Sequence, residues 1–135
     1  CDEYCRAAPG IHAAGDAASW FNPRYGRRMR LEHRTNAAEQ GAAAAYNLLH
    51  GPVKPFAPLP YFWTDQAGVK IQAYGLLCEG SDVSVEFGSP DEGRFVAAYR
   101  TGGRLTGVVG WNAPAQLLPY RKELLHQEPV PAGGA

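Results

Sequence analysis

Pro52, Pro55, Pro58 and Pro60 crowd the stretch from residue 51 to residue 60, and they constrain this chain more than any other feature. A proline lacks a backbone N–H and its ring holds φ at about −65°, so neither a helix interior nor a central strand passes through such a run. The stretch reads as an extended linker over residues 52–60. It divides the chain into residues 1–51, a second domain over residues 61–128, and a flexible tail over residues 129–135.

Ahead of the prolines, Gly10-Ile11-His12-Ala13-Ala14-Gly15-Asp16 is a short apolar run of the kind that makes a strand covered on both faces. Gly15 allows close approach of the backbone to a ligand. Asp16 then falls at the carboxyl end of that strand, where open α/β sheets bind ligands. Its carboxylate can accept hydrogen bonds from ligand hydroxyls, or it can cap a turn. Residues 19–30 read as a loop, punctuated by Asn22-Pro23 and Tyr25-Gly26. The loop carries Arg24, Arg27, Arg28 and Arg30, which form either a solvated rim or a docking patch for an acidic partner. No groove-reading motif accompanies these arginines, which argues against nucleic acid. Asn36, with Glu39 three residues later, marks the start of a helix. The helix continues through Ala42-Ala43-Ala44-Ala45 to about Leu49, and Gly51-Pro52 stops it. Its first turn offers free N–H groups and partial positive charge.

Beyond the prolines, Tyr61-Phe62-Trp63 opens a strand whose three rings cannot all face one core. One face is therefore available to a cofactor or a partner. Residues 69–74 and 82–87 alternate as half-buried strands. Residues 94–100 and 104–111 form a hairpin around Thr101-Gly102-Gly103. Asn112 caps a last helix from about Ala115 to Leu125, with Pro114 in its first turn. The expected class is α+β, a small antiparallel sheet with one helix against it.

Thirteen Lys plus Arg balance thirteen Asp plus Glu, so bulk attraction to nucleic acid or membrane is not expected. No apolar run reaches the roughly 20 residues of a membrane span. Three cysteines, Cys1, Cys5 and Cys78, make no disulfide framework and suit a reducing, cytoplasmic setting. No histidine or cysteine spacing suggests a metal site, no hydrolase triad stands out, and no residue is expected to be catalytic. There is no G-x-G-x-x-G phosphate loop. The chain opens on Cys1-Asp2-Glu3-Tyr4, without an initiator Met, and reads as a piece of a longer protein.

Three of these pieces, taken together, resemble FAD-dependent ferredoxin reductases of aromatic-ring dioxygenase and cytochrome P450 electron-transfer chains. The residues concerned are Gly10-Ile11-His12-Ala13-Ala14-Gly15-Asp16, the run from Arg30 to Gly41 (with Glu32-His33, Asn36-Ala37 and Gln40-Gly41), and Pro60-Tyr61-Phe62-Trp63-Thr64-Asp65-Gln66. That family ends its FAD domain with a G-I-x-A-x-G-D strand and an R-x-E-H-x-x-N-A-x-x-Q-G helix, then carries P-x-F-W-[ST]-D-Q. The resemblance spans roughly residues 2–125. Many flavoproteins share the G-D piece; F-W-T-D-Q at this distance is much more specific. Arg6 fits the approach to the strand, whereas Ala7 and Ala8 replace a polar pair, and Arg34 stands where many members carry Trp.

The resemblance implies that residues 1–51 close an α/β FAD-binding domain and residues 61–128 form the C-terminal reductase domain. It implies FAD contacts from Gly15, Asp16, Asn36, Ala37 and Trp63, with backbone N–H groups of Asn36 and Ala37 facing the flavin. Asp65 and Gln66 are weaker candidates, and His33 reads as structural. The electron donor is NADH or NADPH, held by upstream domains absent from this chain, and the partner is a ferredoxin-type iron–sulfur protein, steered by Arg24, Arg27 and Arg28. A homodimer is compatible with it. Alone, the piece is expected to bind FAD weakly and not to turn over. The rival reading is a non-catalytic dimerisation or partner-docking module derived from such a reductase.

Overall fold

A computed structural model describes residues 1–129 and divides the chain into two compact units, Cys1–Pro58 and Leu59–Gln127. The tail expected over residues 129–135 lies, apart from Pro129, outside the described residues.

The first unit is built from two small hairpins and one long helix. Strands β1 (Arg6–Ala8) and β2 (Ile11–His12) pair antiparallel across the Pro9-Gly10 turn. The expected buried strand over residues 10–15 is thus only two residues long. Ile11 is 59% exposed, because β1 is its single strand partner and no sheet covers it. A 3-10 turn, Gly15–Ala17, follows. The stretch expected as a loop contains a second hairpin, β3 (Trp20–Asn22) with β4 (Arg27–Met29). Helix α1 (Arg34–His50) ends at Gly51, whose φ of 82° lies where glycine is favoured. Cys5, Trp20, Leu31, Ala44 and Phe56 form the apolar core, and the Trp20 Nε1–H donates to the Phe56 carbonyl at 3.1 Å.

The buried row of α1 is mostly polar. Asn36, Gln40, Ala44 and Asn47 share one face at helical spacing, and all four are buried. Buried amides are tolerated where their hydrogen bonds are made. Asn47 makes four: its Nδ2 donates to Lys54 O (2.9 Å) and Tyr4 O (3.3 Å), and its Oδ1 accepts from Lys54 N–H (3.0 Å) and Val53 N–H (3.3 Å). The Phe56 N–H donates to Glu3 O at 2.7 Å. Residues 52–58, expected as a linker, are therefore laced to the first unit: their carbonyls and N–H groups are taken up by α1, by the N-terminal turn and by side chains of the β3–β4 hairpin.

The second unit is a five-stranded antiparallel sheet of order β5-β6-β9-β8-β7. Its strands are β5 (Tyr61–Gln66), β6 (Val69–Gly75), β7 (Asp82–Ser89), β8 (Arg94–Thr101) and β9 (Arg104–Trp111). Strands β6, β7 and β8 extend slightly beyond the spans expected from alternation, and β9 matches its span. Sequence neighbours β7, β8 and β9 form a meander, and β9 inserts beside β6. The register places Tyr61, Tyr74, Val108 and Ala98 in one row across the sheet. That face carries the core of Val96, Ala98, Leu105, Val108, Leu117 and Leu124, the last two from the segment containing helix α2 (Leu118–His126). Gly110 sits under Leu117, and a Cβ there would stand 2.8 Å from the leucine side chain, so a glycine in mid-strand is what lets this segment settle on the sheet.

The last helix begins differently from the expectation. A 3-10 turn, Ala115–Leu117, precedes α2, and Asn112 does not cap it. The Asn112 Oδ1 accepts from Lys70 N–H at 2.8 Å and its Nδ2 donates to Gly93 O at 3.0 Å, so it joins β6 to the turn before β8. The fold class is α+β.

Candidate functional site

In the first unit, the 3-10 turn bearing Asp16 lies against the first turns of α1. Gly15 has φ of +72°, and a Cβ added there would stand 3.4 Å from the Ala37 Cβ. The two backbones approach closely because both side chains are minimal. Asp16 is exposed, so its carboxylate is presented outward. Gly15, Asp16, Asn36 and Ala37, named from the sequence, therefore occupy one local patch.

Two expectations about that patch change. Asn36 is not the cap: α1 starts at Arg34 with His33 in the N-cap position. Asn36 instead turns inward, its Nδ2 donating to Leu31 O at 3.1 Å and to Gln40 Oε1 at 3.3 Å. Because the helix starts earlier, the Ala37 N–H is already used, donating to His33 O at 2.9 Å. The N–H groups preceding the first intrahelical bond belong to Arg34, Thr35 and Asn36. Ala37 contributes its small surface rather than a donor. The Asn36 Oδ1 is buried without a hydrogen-bond partner.

Gln40, quoted in the sequence only as part of the run from Arg30 to Gly41, was given no role there. It is wholly buried, and its Oε1 accepts from the Gly15 N–H at 2.9 Å. Its place at i+4 from Asn36 and i−7 from Asn47 was the available signal. The Cys5 thiol, whose pKa is pushed up by burial, lies against the same amide.

The arginines of the β3–β4 hairpin differ from one another. Arg24 Nε donates to Ala57 O at 3.3 Å, and Arg28 Nη1 donates to Cys1 O at 2.8 Å. Both support local structure while keeping their charge. Arg27 and Arg28 are exposed and Arg24 is half-buried.

In the second unit, Tyr61, Phe62 and Trp63 alternate as expected. Trp63 is 43% exposed and stacks on Tyr61, with ring centroids 5.5 Å apart and planes at 20°. Tyr61 stacks in turn on Tyr74 at 4.6 Å. Gln72 Nε2 donates to the Tyr61 hydroxyl at 2.8 Å, and the Arg121 guanidinium lies 5.8 Å from the centre of the Tyr74 ring. Burial, followed by the neighbouring Tyr61, pushes the Tyr74 phenol up. Offset aromatic stacking of this kind fixes ring orientation, so Trp63 presents a braced indole at the edge strand. Phe62 points to the opposite face. Asp65 is exposed and pairs with Lys70 across the hairpin at 3.7 Å, a bridge of small energetic weight.

Among the described residues no cluster of His, Cys, Asp and Glu could hold a metal ion, and no helix is long and apolar enough to cross a membrane. The three cysteines are free thiols.

A five-stranded antiparallel sheet with a helix on one face is thus the frame of the second unit, and it falls within a known family. A family model described as Reductase C-terminal matches residues 61–134, more than half of the chain, and the chain belongs to this family. It is 39% identical over 135 residues to the anthranilate 1,2-dioxygenase system ferredoxin–NAD(+) reductase component of Burkholderia cepacia, covering 91% of this chain and 33% of that protein. The crystal structure of the ferredoxin reductase for the CYP199A2 system of Rhodopseudomonas palustris superposes with a TM-score of 0.84 at 32% identity, over 98% of this chain and 32% of that one. A covalent putidaredoxin reductase–putidaredoxin complex gives a TM-score of 0.81 at 31% identity, over 96% and 31%. The chain spans about a third of the length of the proteins it matches.

Proposed function

We propose that this chain supplies part of the flavin-binding wall and the C-terminal domain of an FAD-dependent NAD(P)H:ferredoxin reductase, an oxidoreductase that passes electrons from NADH or NADPH through FAD to a ferredoxin-type iron–sulfur protein. The observation that carries the reading is the close approach of Gly15 to Ala37 beside the exposed Asp16 carboxylate and the opening turn of α1. These residues fit a flat, hydroxyl-bearing cofactor. The carboxylate accepts hydroxyl donors, and the N–H groups of the first helical turn favour negative charge nearby. The buried, unpartnered Asn36 Oδ1 is an acceptor suited to a ring N–H. In the second unit, Trp63 offers an exposed, braced indole, a surface suited to contact with a flavin ring. FAD, when bound, supplies the exchange between two-electron and one-electron chemistry, while the protein binds, orients and sets the local electrostatics.

The names of the matched reductases, one of them in complex with putidaredoxin, support a ferredoxin-type acceptor. Free thiols support a reducing, cytoplasmic setting. The nicotinamide site and the rest of the FAD site are placed in domains outside this chain. Nucleic acid and membrane play no part in this reading.

The test is Asp16→Ala in the full-length reductase. Loss of charge-assisted hydrogen bonds should weaken FAD binding about tenfold or more, read by flavin fluorescence quenching. Unchanged affinity would overturn the flavin reading and favour a docking module. For the acceptor, Arg27→Glu is the informative variant, because no carbonyl contact comparable to those of Arg24 and Arg28 is lost with it. Its association rate with ferredoxin should fall severalfold at low salt and converge with the wild type as salt rises. Equal rates at every ionic strength would remove this hairpin from the docking surface.

A further inference from the structure

We propose that Gln40 is the positioning residue of the flavin wall: by accepting hydrogen bonds from Gly15 and from Asn36 at once, its Oε1 fixes the Asp16-bearing turn against the first turns of α1. The proposal rests on the flavin reading above and extends it to a residue that touches no cofactor.

Glutamine is rarely fully buried, yet Gln40 is 0% exposed. The next residue in its helical row, Ala44, shows that a small apolar side chain serves packing there. What an apolar residue cannot do is accept. Gln40 Oε1 receives the Gly15 N–H at 2.9 Å and the Asn36 Nδ2–H at 3.3 Å, using both lone pairs. The Gly15 carbonyl is itself engaged by the Ala18 N–H at 2.9 Å. Both backbone polar groups of Gly15 are thereby fixed, in a conformation with φ of +72°. Asp16 follows directly, so its outward presentation depends on how Gly15 is held. Asn36 is held in the same way: its Nδ2 is shared between Leu31 O and Gln40 Oε1, which orients the unpartnered Oδ1. One side chain, 25 residues from Gly15 in the chain, thus sets both halves of the patch. The geometry required of such a site is tight, and a supporting residue that locks it acts through preorganisation.

Two variants test this in the full-length protein. Gln40→Met keeps the volume and removes the acceptor. Gln40→Asn keeps a buried amide but is one methylene too short to reach Gly15, and it remains informative where the methionine variant does not fold. Gln40→Glu retains the accepting oxygen and is the rescue. Met and Asn should each weaken FAD binding about tenfold, and Glu should restore affinity to within about threefold of the wild type. Amide hydrogen exchange at Gly15 is the independent readout, needing no flavin: it should quicken about tenfold with Met or Asn and stay slow with Glu. Asp16→Ala is run in parallel. Weakened FAD binding in that variant beside wild-type affinity in both Met and Asn variants would overturn the positioning role. Unchanged FAD binding in Asp16→Ala would overturn the flavin reading itself, whatever Gln40 does to exchange at Gly15.

Discussion

Asn47→Leu is expected to lower the unfolding midpoint of the first unit by roughly 10–20 °C, the shift that ~3 kcal/mol produces in a unit of this size. Leucine matches asparagine closely in shape and makes no hydrogen bond. It therefore leaves the Lys54 N–H and the carbonyls of Tyr4 and Lys54 without the side-chain partner they now share, while the Val53 N–H keeps its bond to the Gly51 carbonyl. These bonds are part-buried, so each lost partner costs about 1 kcal/mol, the low end of the range for a stranded donor or acceptor. Asn47 is 2% exposed, and the strands of the unit are too short to take up the segment 52–58 in its place. Trp20 is the natural reporter, being buried and packed 5.5 Å from Phe56 in the segment that would loosen. Emission followed during a thermal melt measures the shift. A change below about 2 °C would mean that water satisfies these groups at little cost.

Gly75→Ala is expected to remove about 3 kcal/mol or more from the second unit, combining left-handed backbone strain with a steric collision. Gly75 ends β6 with φ of +79°, and a Cβ there would lie 2.3 Å from the Thr106 carbonyl oxygen and 3.0 Å from the Gly107 Cα. Neither atom is at the end of a flexible side chain. Both belong to the β9 backbone, which cannot retreat without breaking its pairing with β8. Gly68→Ala is the matched control, since it has a φ of +77° but nothing within 4 Å of the added carbon. It should cost only the conformational part, about 1 kcal/mol. Equal destabilisation by the two alanines would show that the approach of β6 to β9 is not tight. Chemical denaturation followed by far-UV circular dichroism compares them directly.

Alternation carried the second unit well. Residues 69–74, 82–87, 94–100 and 104–111 all lie within observed strands, because each side of an antiparallel strand sees a different environment and the period of two survives in the residues. The end of α1 was equally legible, since Gly51-Pro52 is a local stop signal. What escaped was non-local. Asn112 looked like a cap because it precedes Pro114, while its partners Lys70 and Gly93 are far away in the chain. The β3–β4 hairpin was read as loop because strands of three residues, Trp20-Phe21-Asn22 and Arg27-Arg28-Met29, are too short to carry a period. In α1, Asn36 drew attention as a cap while Gln40 and Asn47 were given no role, for hydrophobicity places Asn and Gln outside by default. Gly15, Asp16, Asn36 and Ala37, named from separate stretches of the sequence, lie together in the first unit. The residue that holds them together, Gln40, is recognisable only when its acceptor is seen against the Gly15 N–H.

The lacing of residues 52–58 to the first unit has a consequence for recombining such proteins. A breakpoint chosen by composition would fall among the prolines, and a hybrid joined there would mix Asn47 from one parent with a loop from another. For a junction just after Pro52, three of its four hydrogen bonds, those to Val53 and Lys54, would then depend on sequence the two parents never optimised together. A junction after Pro58 leaves that set intact, because Leu59 already packs with the apolar residues of the sheet unit. The exchangeable cassette of this chain begins at Leu59, eight residues past the glycine that ends the helix.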